Sequence, residues 1–419
     1  MLKKFKKLFS RIGPGIITGA SDDDPSGIAT YSIAGASQGY GLLWTALLTF
    51  PLMAAIQEMC ARIGVVTEKG LAGNIKGYYK SKILLYFLAA LIITANTINI
   101  GADLAGMAAA TGLLIPINPL LIAIVTTFLI IALMVYFPYK FIASNLKWLT
   151  FALFAYIASA LVVKQDWTQI IFRSFVPKFT ADKDYITIIV AILGTTISPY
   201  LFFWQTSEEV EERKALEKEK HKKIIITKHE LKQVREDVNL GMFLSNIVMY
   251  AIIATTASTL FRFGINEIET ADQAAKALEP LAGKASSLLF TLGIVGTGLL
   301  AIPILAGSAA YAVAEIFNWK EGLSKSFRQA RAFYAIIIIS TFVGFLMNFV
   351  HISPFKALFY TAVIYGLISP ILILFILLLA NNKKVMGKYK NNFVTNILGV
   401  LTLAVMTIAA VVFIMITFV

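Results

Sequence analysis

The sequence predicts an all-α integral membrane protein that is crossed by eleven helices, the first and sixth of which are broken. The first observation is composition: of the 419 residues 58% are hydrophobic and only 15% charged, and the mean hydropathy is +0.76. Ordinary soluble domains are far more polar. The second observation is length, because a helix needs about 20 apolar residues to span a bilayer. The runs that qualify are 12–37, 41–65, 83–111, 117–137, 146–163, 185–206, 238–261, 285–317, 332–350, 355–380 and 392–418.

The distribution of basic residues predicts how the chain is oriented. Eleven crossings put the termini on opposite sides, and Lys and Arg concentrate on the side of the N-terminus. By the positive-inside rule, residues 1–11 and the charged connector 207–237 lie in the cytoplasm, and the eleventh helix, 392–418, ends outside. The net charge of +13 is then explained without a nucleic-acid partner. We expect one transmembrane domain over 1–419, monomeric, in the lipid bilayer of the plasma or inner membrane.

The third observation is a polar interruption of the first span, from Asp22 to Gly27, with three carboxylates, a proline and a glycine. Charges and unpaired backbone groups are costly in hydrocarbon, so such a run is retained only where it lines a cavity. Neither broken span contains a Lys or Arg that would neutralise the carboxylates. The run therefore predicts a bound cation, with Asp24 as its main ligand.

The sixth span is interrupted in a similar way, from Thr195 to Tyr200. Pro199 removes a backbone donor, and the neighbouring hydroxyl groups can satisfy the freed carbonyls. Two Pro-interrupted segments five spans apart predict inverted repeats of spans 1–5 and 6–10, with a transport site between the breaks. The carbonyl ends of the two leading half-helices, near Ser21 and Thr195, are expected to point at the cation.

Three short motifs are specific enough to indicate a family. They are Asp24 to Gly27, Gln57 to Thr67 at the end of the second span, and Gly101 to Ala105 in the third span. They resemble the DPGN, Q-x-x-x-A-R-x-G-V-V-T and T-D-L-A motifs of the NRAMP family of divalent-metal transporters. The resemblance covers most of the chain and implies a LeuT-type fold with broken helices one and six.

Several positions depart from the family pattern. The DPGN asparagine is here Gly27, and the methionine and first histidine of the sixth span are Ser198 and Tyr200. A second family histidine falls at Gln205, and the glutamate that follows T-D-L-A is Gly106. These changes resemble the NRAMP-related magnesium-transporter branch, whose metal site is altered and which lacks proton coupling. Because a thioether favours softer metal ions, its loss removes discrimination against hard cations.

The predicted site joins Asp24 to oxygen atoms from both breaks. The predicted metal-site residues are Ser21, Asp24, Gly27, Thr195, Thr196 and Ser198. Gly27 is expected to leave space for a partly hydrated ion, and Thr195 to contribute its carbonyl; Thr196 and Ser198 have backbone capping as an alternative. The predicted outer-shell or vestibule residues are Asp22, Asp23, Glu58, Asp103 and Tyr200.

Some of the outer residues have a structural alternative. Asp22 and Asp23 are expected to be hydrated or to cap the second half-helix, whose N-terminus favours negative charge. Glu58 has Arg62 four residues on, which is a favourable spacing for a helical ion pair. Asp103 is interpreted as a conformational or residual proton-carrying group.

The main functional prediction is a secondary transporter for Mg²⁺, also passing Mn²⁺, that works by alternating access without proton coupling. No cofactor and no enzymatic activity are expected, since no H-E-x-x-H or nucleophile–base pattern occurs. One alternative is a proton-coupled Mn²⁺/Fe²⁺ symporter. The argument against it is that His221, His229 and His351 all lie outside the spans, so no histidine is placed to relay protons through the membrane. A second alternative is a sodium-coupled organic-solute transporter of the same fold, against which the acidic run would repel a carboxylate substrate.

Overall fold

The computed structural model describes residues 13–137, 153–180, 182–350 and 352–418, and the regular structure in these ranges is helical. The longer helices of the first half are α1 (Pro14–Asp22), α2 (Pro25–Gln38), α3 (Leu43–Thr67), α4 (Leu71–Tyr79), α5 (Lys82–Gly112), α6 (Pro119–Tyr136), α7 (Phe154–Val162) and α8 (Trp167–Phe175). Those of the second half are α9 (Lys183–Thr196), α10 (Pro199–Glu219), α11 (Lys228–Thr259), α12 (Ser286–Phe317), α13 (Arg331–Leu346), α14 (Pro354–Asn381) and α15 (Phe393–Phe418).

Nine helical runs in the described ranges are long and apolar enough to cross a membrane. One run, Pro25–Thr67, contains the second half of predicted span one and all of span two, because the turn Gly39–Leu42 joins α2 to α3. Residues 146–152 of the fifth predicted span, 146–163, lie outside the described residues, as do the basic segment 1–11 and His351. The rest of that span contains α7. The prediction of an all-helical, multi-span membrane protein is confirmed.

Both helix breaks lie where the sequence predicts them. Asp23 and Asp24 separate α1 from α2, and Ile197 and Ser198 separate α9 from α10. A proline takes the first position of α2 and of α10, where its missing N–H costs no helical hydrogen bond. Asp24 and Ser198, which precede the prolines, are extended, with ψ of 171° and 125°, as the proline ring requires of its neighbour.

The charged connector 207–237 is mostly a continuation of two spans. Helix α10 runs on to Glu219 and α11 begins at Lys228, so both helices project beyond the apolar segments that the sequence marks. Arg213 on α10 joins them through an ion pair with Glu230 on α11, at 2.8 Å. Helices α10 and α11 are therefore joined at the end that the charge pattern assigns to the cytoplasm.

Glycines let the leading half-helices pack closely against their neighbours. A Cβ atom added at Gly19 in α1 would lie 2.3 Å from the Gly241 carbonyl oxygen in α11. One added at Gly194 in α9 would lie 2.0 Å from the Ala362 carbonyl oxygen in α14. In a membrane no hydrophobic effect drives helices together, so they associate through close packing of this kind. Each helix end that faces a break is thus held by backbone contact with a continuous helix.

Candidate cation site

The two breaks face each other in the middle of the bundle. The Tyr200 hydroxyl at the start of α10 donates a hydrogen bond of 2.8 Å to the Ser21 carbonyl near the end of α1. A Cβ atom at Gly27 would lie 3.2 Å from Thr195 Oγ1 and 3.3 Å from the Asp22 carbonyl oxygen. The structure therefore brings Ser21 and Gly27 of the first break beside Thr195 and Tyr200 of the second. The missing side chain at Gly27 is used for close approach of the two breaks rather than for an open space.

Asp24 is fixed by donors from two helices. Its Oδ1 accepts hydrogen bonds from the Gly27 amide at 2.8 Å and the Ser26 hydroxyl at 2.6 Å, so Asp24 caps the N-terminus of α2. Its Oδ2 accepts from Asn99 Nδ2 on α5 at 2.9 Å. Asp24 is 1% exposed, and among the described residues no basic side chain forms an ion pair with it. The carboxylate is preorganised and lacks a protein counter-charge, as a cation ligand requires.

Asp22 and Asp23 do not cap α2, because the extended residue directly before Pro25 is Asp24 and the capping position belongs to it. Both carboxylates accept instead from the single hydroxyl of Ser245 on α11, at 2.7 Å and 3.3 Å. Asp22 Oδ1 is buried and, within the described part of the chain, has no hydrogen-bond partner. The pair therefore adds two buried carboxyl groups beside the break.

The hydroxyl groups of the second break are used as the capping alternative proposes. Ser198 Oγ donates to the Thr195 carbonyl at 2.5 Å, and Thr196 Oγ1 donates to the Ile192 carbonyl at 2.6 Å. They satisfy carbonyl groups that the end of α9 leaves free. The Thr195 and Ser21 carbonyls each accept one such bond, and a carbonyl oxygen has a second lone pair. Their predicted part in cation binding remains a prediction.

Helix α5 presents unsatisfied oxygens to the same region. Asp103 is fully buried, and neither of its carboxylate oxygens has a hydrogen-bond partner among the described residues. Asn99 lies one turn earlier on the same face, and its Oδ1 is likewise without a partner there. The contact of Asn99 with Asp24 was not expected from the sequence. Its one signal is the spacing of four residues from Asp103, which places both side chains on one helix face.

Glu58 forms the structural pair that its spacing suggests. Its carboxylate lies 3.2 Å from the Arg62 guanidinium. Arg62 also donates to the Tyr389 carbonyl at 3.1 Å and to the Asn391 side chain, so the pair anchors α3 to the segment before α15. Glu58 is thus engaged in an ion pair within the second half of α3. Gln205 is structural too, since it accepts a hydrogen bond from Thr18 and donates one to Glu209.

The site is closed on both sides in this structure. Apart from Gly27, each predicted metal-site residue is at most 1% exposed. In the described ranges, no group of three His, Cys, Asp or Glu side chains is placed to hold a metal ion. A cavity of about 1240 Å³ lies at the connector end, lined in part by Ser207, Glu211, Tyr311 and Glu321. Burial, with the Glu315 carboxylate nearby, raises the pKa of Glu321. The proposed site therefore depends on Asp24 with neutral oxygens, and the cavity at the connector end is lined by both acidic and basic side chains.

Two broken helices that face each other around a buried carboxylate are typical of a membrane transporter. The model of the family described as natural resistance-associated macrophage protein-like (Nramp) matches residues 15–416. The chain belongs to this family.

Relatives with assigned names agree with this placement. A divalent metal cation transporter MntH of Caldanaerobacter subterraneus subsp. tengcongensis is 26% identical over 407 residues, covering 95% of this chain and 91% of the relative. An MntH of Pectobacterium carotovorum subsp. carotovorum is 29% identical over 300 residues, covering 70% of this chain and 69% of the relative.

Solved structures share the fold. An Eremococcus coleocola manganese transporter superposes with a TM-score of 0.73 at 19% identity, covering 97% of this chain and 86% of that one. Mhp1, a nucleobase-cation-symport-1 family transporter, superposes with a TM-score of 0.55 at 13% identity, covering 97% of this chain and 90% of that one. The expected Nramp/LeuT-like architecture is confirmed, while no comparison supports a separate magnesium branch.

Proposed function

We propose that this chain carries divalent metal cations across the membrane by alternating access, with the cation held between the two helix breaks. The observation that carries the proposal is Asp24, a buried carboxylate at the first break without a basic partner among the described residues. Relatives named as divalent metal cation transporters, and a neighbour in fold named as a manganese transporter, support the same substrate class.

The named relatives make Mn²⁺ the first candidate ion. They therefore favour the alternative from the sequence, a Mn²⁺/Fe²⁺ transporter, over its main prediction of Mg²⁺. Mg²⁺ remains the second candidate because of Ser198, which stands where the family has a methionine. Without a thioether the site offers oxygen ligands alone, which suit Mg²⁺ and Mn²⁺. We therefore expect both ions to be carried and softer ions such as Cd²⁺ to compete weakly.

We propose that entry is driven by the ion's own gradient and the membrane potential. A divalent ion gains about 4.6 kcal/mol per 100 mV, from about 2.3 kcal/mol per charge, without any coupled proton. A proton-coupled cycle would depend on Asp103, since it is the buried carboxylate on α5 with unpartnered oxygens. Asp103 is therefore the first residue at which coupling should be tested.

The transport cycle proposed here exposes the Asp24 site to each side in turn. Spans 1, 2, 6 and 7 rock against the rest of the eleven, within two inverted repeats of spans 1–5 and 6–10. The hydrogen bond from Tyr200 to Ser21 keeps the two breaks together while they move. In this proposal the N-terminus is cytoplasmic and the protein lies in the plasma or inner membrane as a monomer.

A sodium-coupled organic-solute transporter is the less favoured reading of the same fold. The half-helices of α1 and α10 meet at a cluster of three buried carboxylates, Asp22 to Asp24. Such a cluster repels the carboxylate group of an amino-acid-like substrate. The electrostatics of the site therefore favour a cation alone.

The test is ion entry into proteoliposomes at a clamped potential, with internal pH recorded at the same time. The proposal expects Mn²⁺ and Mg²⁺ to enter. Entry without acidification supports an uncoupled transporter, whereas Mn²⁺ entering together with protons and no Mg²⁺ entry supports the proton-coupled symporter. Sodium-dependent solute uptake without any divalent-cation entry would overturn the proposal.

A further inference from the structure

The Asn99 side chain meets Asp24 through the end of its amide that cannot bind a cation. Asp24 Oδ2 accepts a hydrogen bond of 2.9 Å from Asn99 Nδ2. A carboxylate is an acceptor, so the NH₂ group has to face it and the amide oxygen has to point away. The nitrogen and its hydrogens thus bring a partial positive charge to the oxygen atom that a cation would bind.

The oxygen end of the same amide has no hydrogen-bond partner in the described part of the chain. Asn99 is fully buried, and its Oδ1 accepts no hydrogen bond from the described residues. The nearby Tyr365 hydroxyl donates to Asn96 Oδ1 instead, at 2.9 Å. A buried, unsatisfied amide oxygen is costly, and native structures rarely keep one without a functional reason.

Asn96, one turn earlier on α5, shows what a purely structural amide looks like here. It is equally buried, but its Nδ2 donates to the Leu305 carbonyl at 2.9 Å and to Ser308 Oγ at 2.7 Å. Its oxygen accepts from Tyr365. Both ends of Asn96 are therefore engaged, and turning its amide would break all three hydrogen bonds.

We propose that Asn99 is a cation ligand that sets the size of the site: when the ion binds, its amide turns by half a turn and places Oδ1 beside Asp24 Oδ2. Nitrogen and oxygen exchange nearly identical positions, so the new oxygen lies close to the observed 2.9 Å from the carboxylate oxygen. This inference rests on the proposed function. It also supplies the neutral amide oxygen that the Gly27 position does not carry.

The spacing of these two atoms favours small octahedral ions. Adjacent oxygens in an octahedral shell with bonds of about 2.0–2.1 Å lie about 2.9 Å apart, which fits Mg²⁺ and similar ions. Bonds of about 2.3–2.6 Å, as Ca²⁺ requires, need oxygens about 3.3–3.7 Å apart. The pair of Asp24 and Asn99 therefore discriminates against Ca²⁺ by geometry, without a soft ligand.

The experiment measures Mn²⁺ and Ca²⁺ dissociation constants on the purified, detergent-solubilised chain by calorimetry, and the unchanged chain is expected to bind Ca²⁺ more weakly than Mn²⁺. Asn99→Leu is expected to weaken Mn²⁺ binding by at least about 10-fold, the lower end of the range for losing even an outer-shell partner of a metal site. Asn99→Asp keeps an oxygen and loses the donor, so Mn²⁺ affinity is expected to stay at least equal to that of the unchanged chain. Asn96→Leu is the matched control. It is expected to lower the unfolding temperature and to leave the Mn²⁺ affinity unchanged.

Two results would overturn the inference. Asn99→Leu binding Mn²⁺ as tightly as the unchanged chain would remove Asn99 from the site. Asn99→Asp binding as weakly as Asn99→Leu would mean that donation to Asp24 matters and the oxygen does not. If Asn99→Leu fails to fold, Asn99→Asp is compared with the unchanged chain instead. Weaker Mn²⁺ binding by Asn99→Asp than by the unchanged chain would then overturn the inference.

The proposed function fails separately from this inference. If the unchanged chain binds no Mn²⁺, or if Asp24→Asn binds it normally, the transport site itself is misplaced. If Asp24→Asn abolishes binding while the Asn99 variants show either result above, only the role of Asn99 is wrong.

Discussion

At the scale of single residues, Ser198 is where this chain differs most from a soft-metal site. Its side chain is buried at the N-terminus of α10 and donates to the end of α9. A thioether at this position would face the same space as the Ser198 hydroxyl, beside Thr195. The ion selectivity of the transporter should therefore respond to a change at this one position.

We predict that Ser198→Met makes Cd²⁺ a much stronger competitor of Mn²⁺ uptake, because it introduces a soft ligand. The measurement is Mn²⁺ entry into proteoliposomes over a range of Cd²⁺ concentrations. Ser198→Leu is the control, with a similar volume and no sulfur, and should leave Cd²⁺ competition unchanged. Equal effects of Met and Leu would mean that cavity shape, not ligand softness, sets selectivity.

The sequence indicates some residues of the site and misses others for a physical reason. Asp24 is conspicuous because a carboxylate inside an apolar run has few structural uses. Asn99 is not, because an amide in a membrane helix is common and its contact with Asp24 depends on how α5 packs against the break. The engagement of Glu58 with Arg62 follows from spacing within one helix, which sequence does reveal.

At the scale of helices, the close packing of α1 on α11 holds the first break in place. A Cβ atom at Gly241 would lie 2.1 Å from the Gly15 carbonyl oxygen, whereas one at Gly112, in α5, would meet nothing within 4 Å. The two glycines therefore differ in their surroundings and serve as a matched pair.

We predict that Gly241→Ala destabilises the protein by about 1–3 kcal/mol, the usual cost of overpacking, and that it reduces uptake by displacing α1. Thermal unfolding in detergent measures the first effect and Mn²⁺ uptake the second. Gly112→Ala should leave the unfolding temperature and uptake close to those of the unchanged chain. Equal unfolding temperatures for the two variants would show that the α1–α11 contact is loose.

Helix ends are the part of the fold that apolar pattern predicts least well. The breaks are predictable because Pro199 and the run from Asp22 to Gly27 are incompatible with continuous lipid-facing helices. The extension of α10 to Glu219 is not, since apolar runs mark the membrane and not the helix. Glu, Lys and Arg are good helix formers, so the helix continues after its apolar part ends.

At the scale of the whole molecule, the orientation in the membrane remains a prediction from charge. The chain has one cysteine, Cys60, and it is buried, so background labelling should be low. Lys222 in the connector and Lys178 in the segment before α9 are both exposed. They fall on opposite sides of the membrane in the predicted topology.

We predict that Lys178→Cys reacts with a membrane-impermeant maleimide in intact cells, and that Lys222→Cys reacts only after the membrane is permeabilised. The measurement is the mass shift of each variant before and after permeabilisation, with the unchanged chain as the background. Labelling of Lys222→Cys alone in intact cells would invert the proposed orientation.

In the proposed site, Asp24 balances the charge of the bound cation. Asp24→Asn removes the charge while keeping the size of the side chain and a good helix cap, so the fold should persist. The most direct measurement is Mn²⁺ entry into proteoliposomes that contain the unchanged chain or Asp24→Asn, with equal unfolding temperatures as the check on folding. We predict entry with the unchanged chain and none above the protein-free background with Asp24→Asn. Entry at the same rate through both would contradict the account.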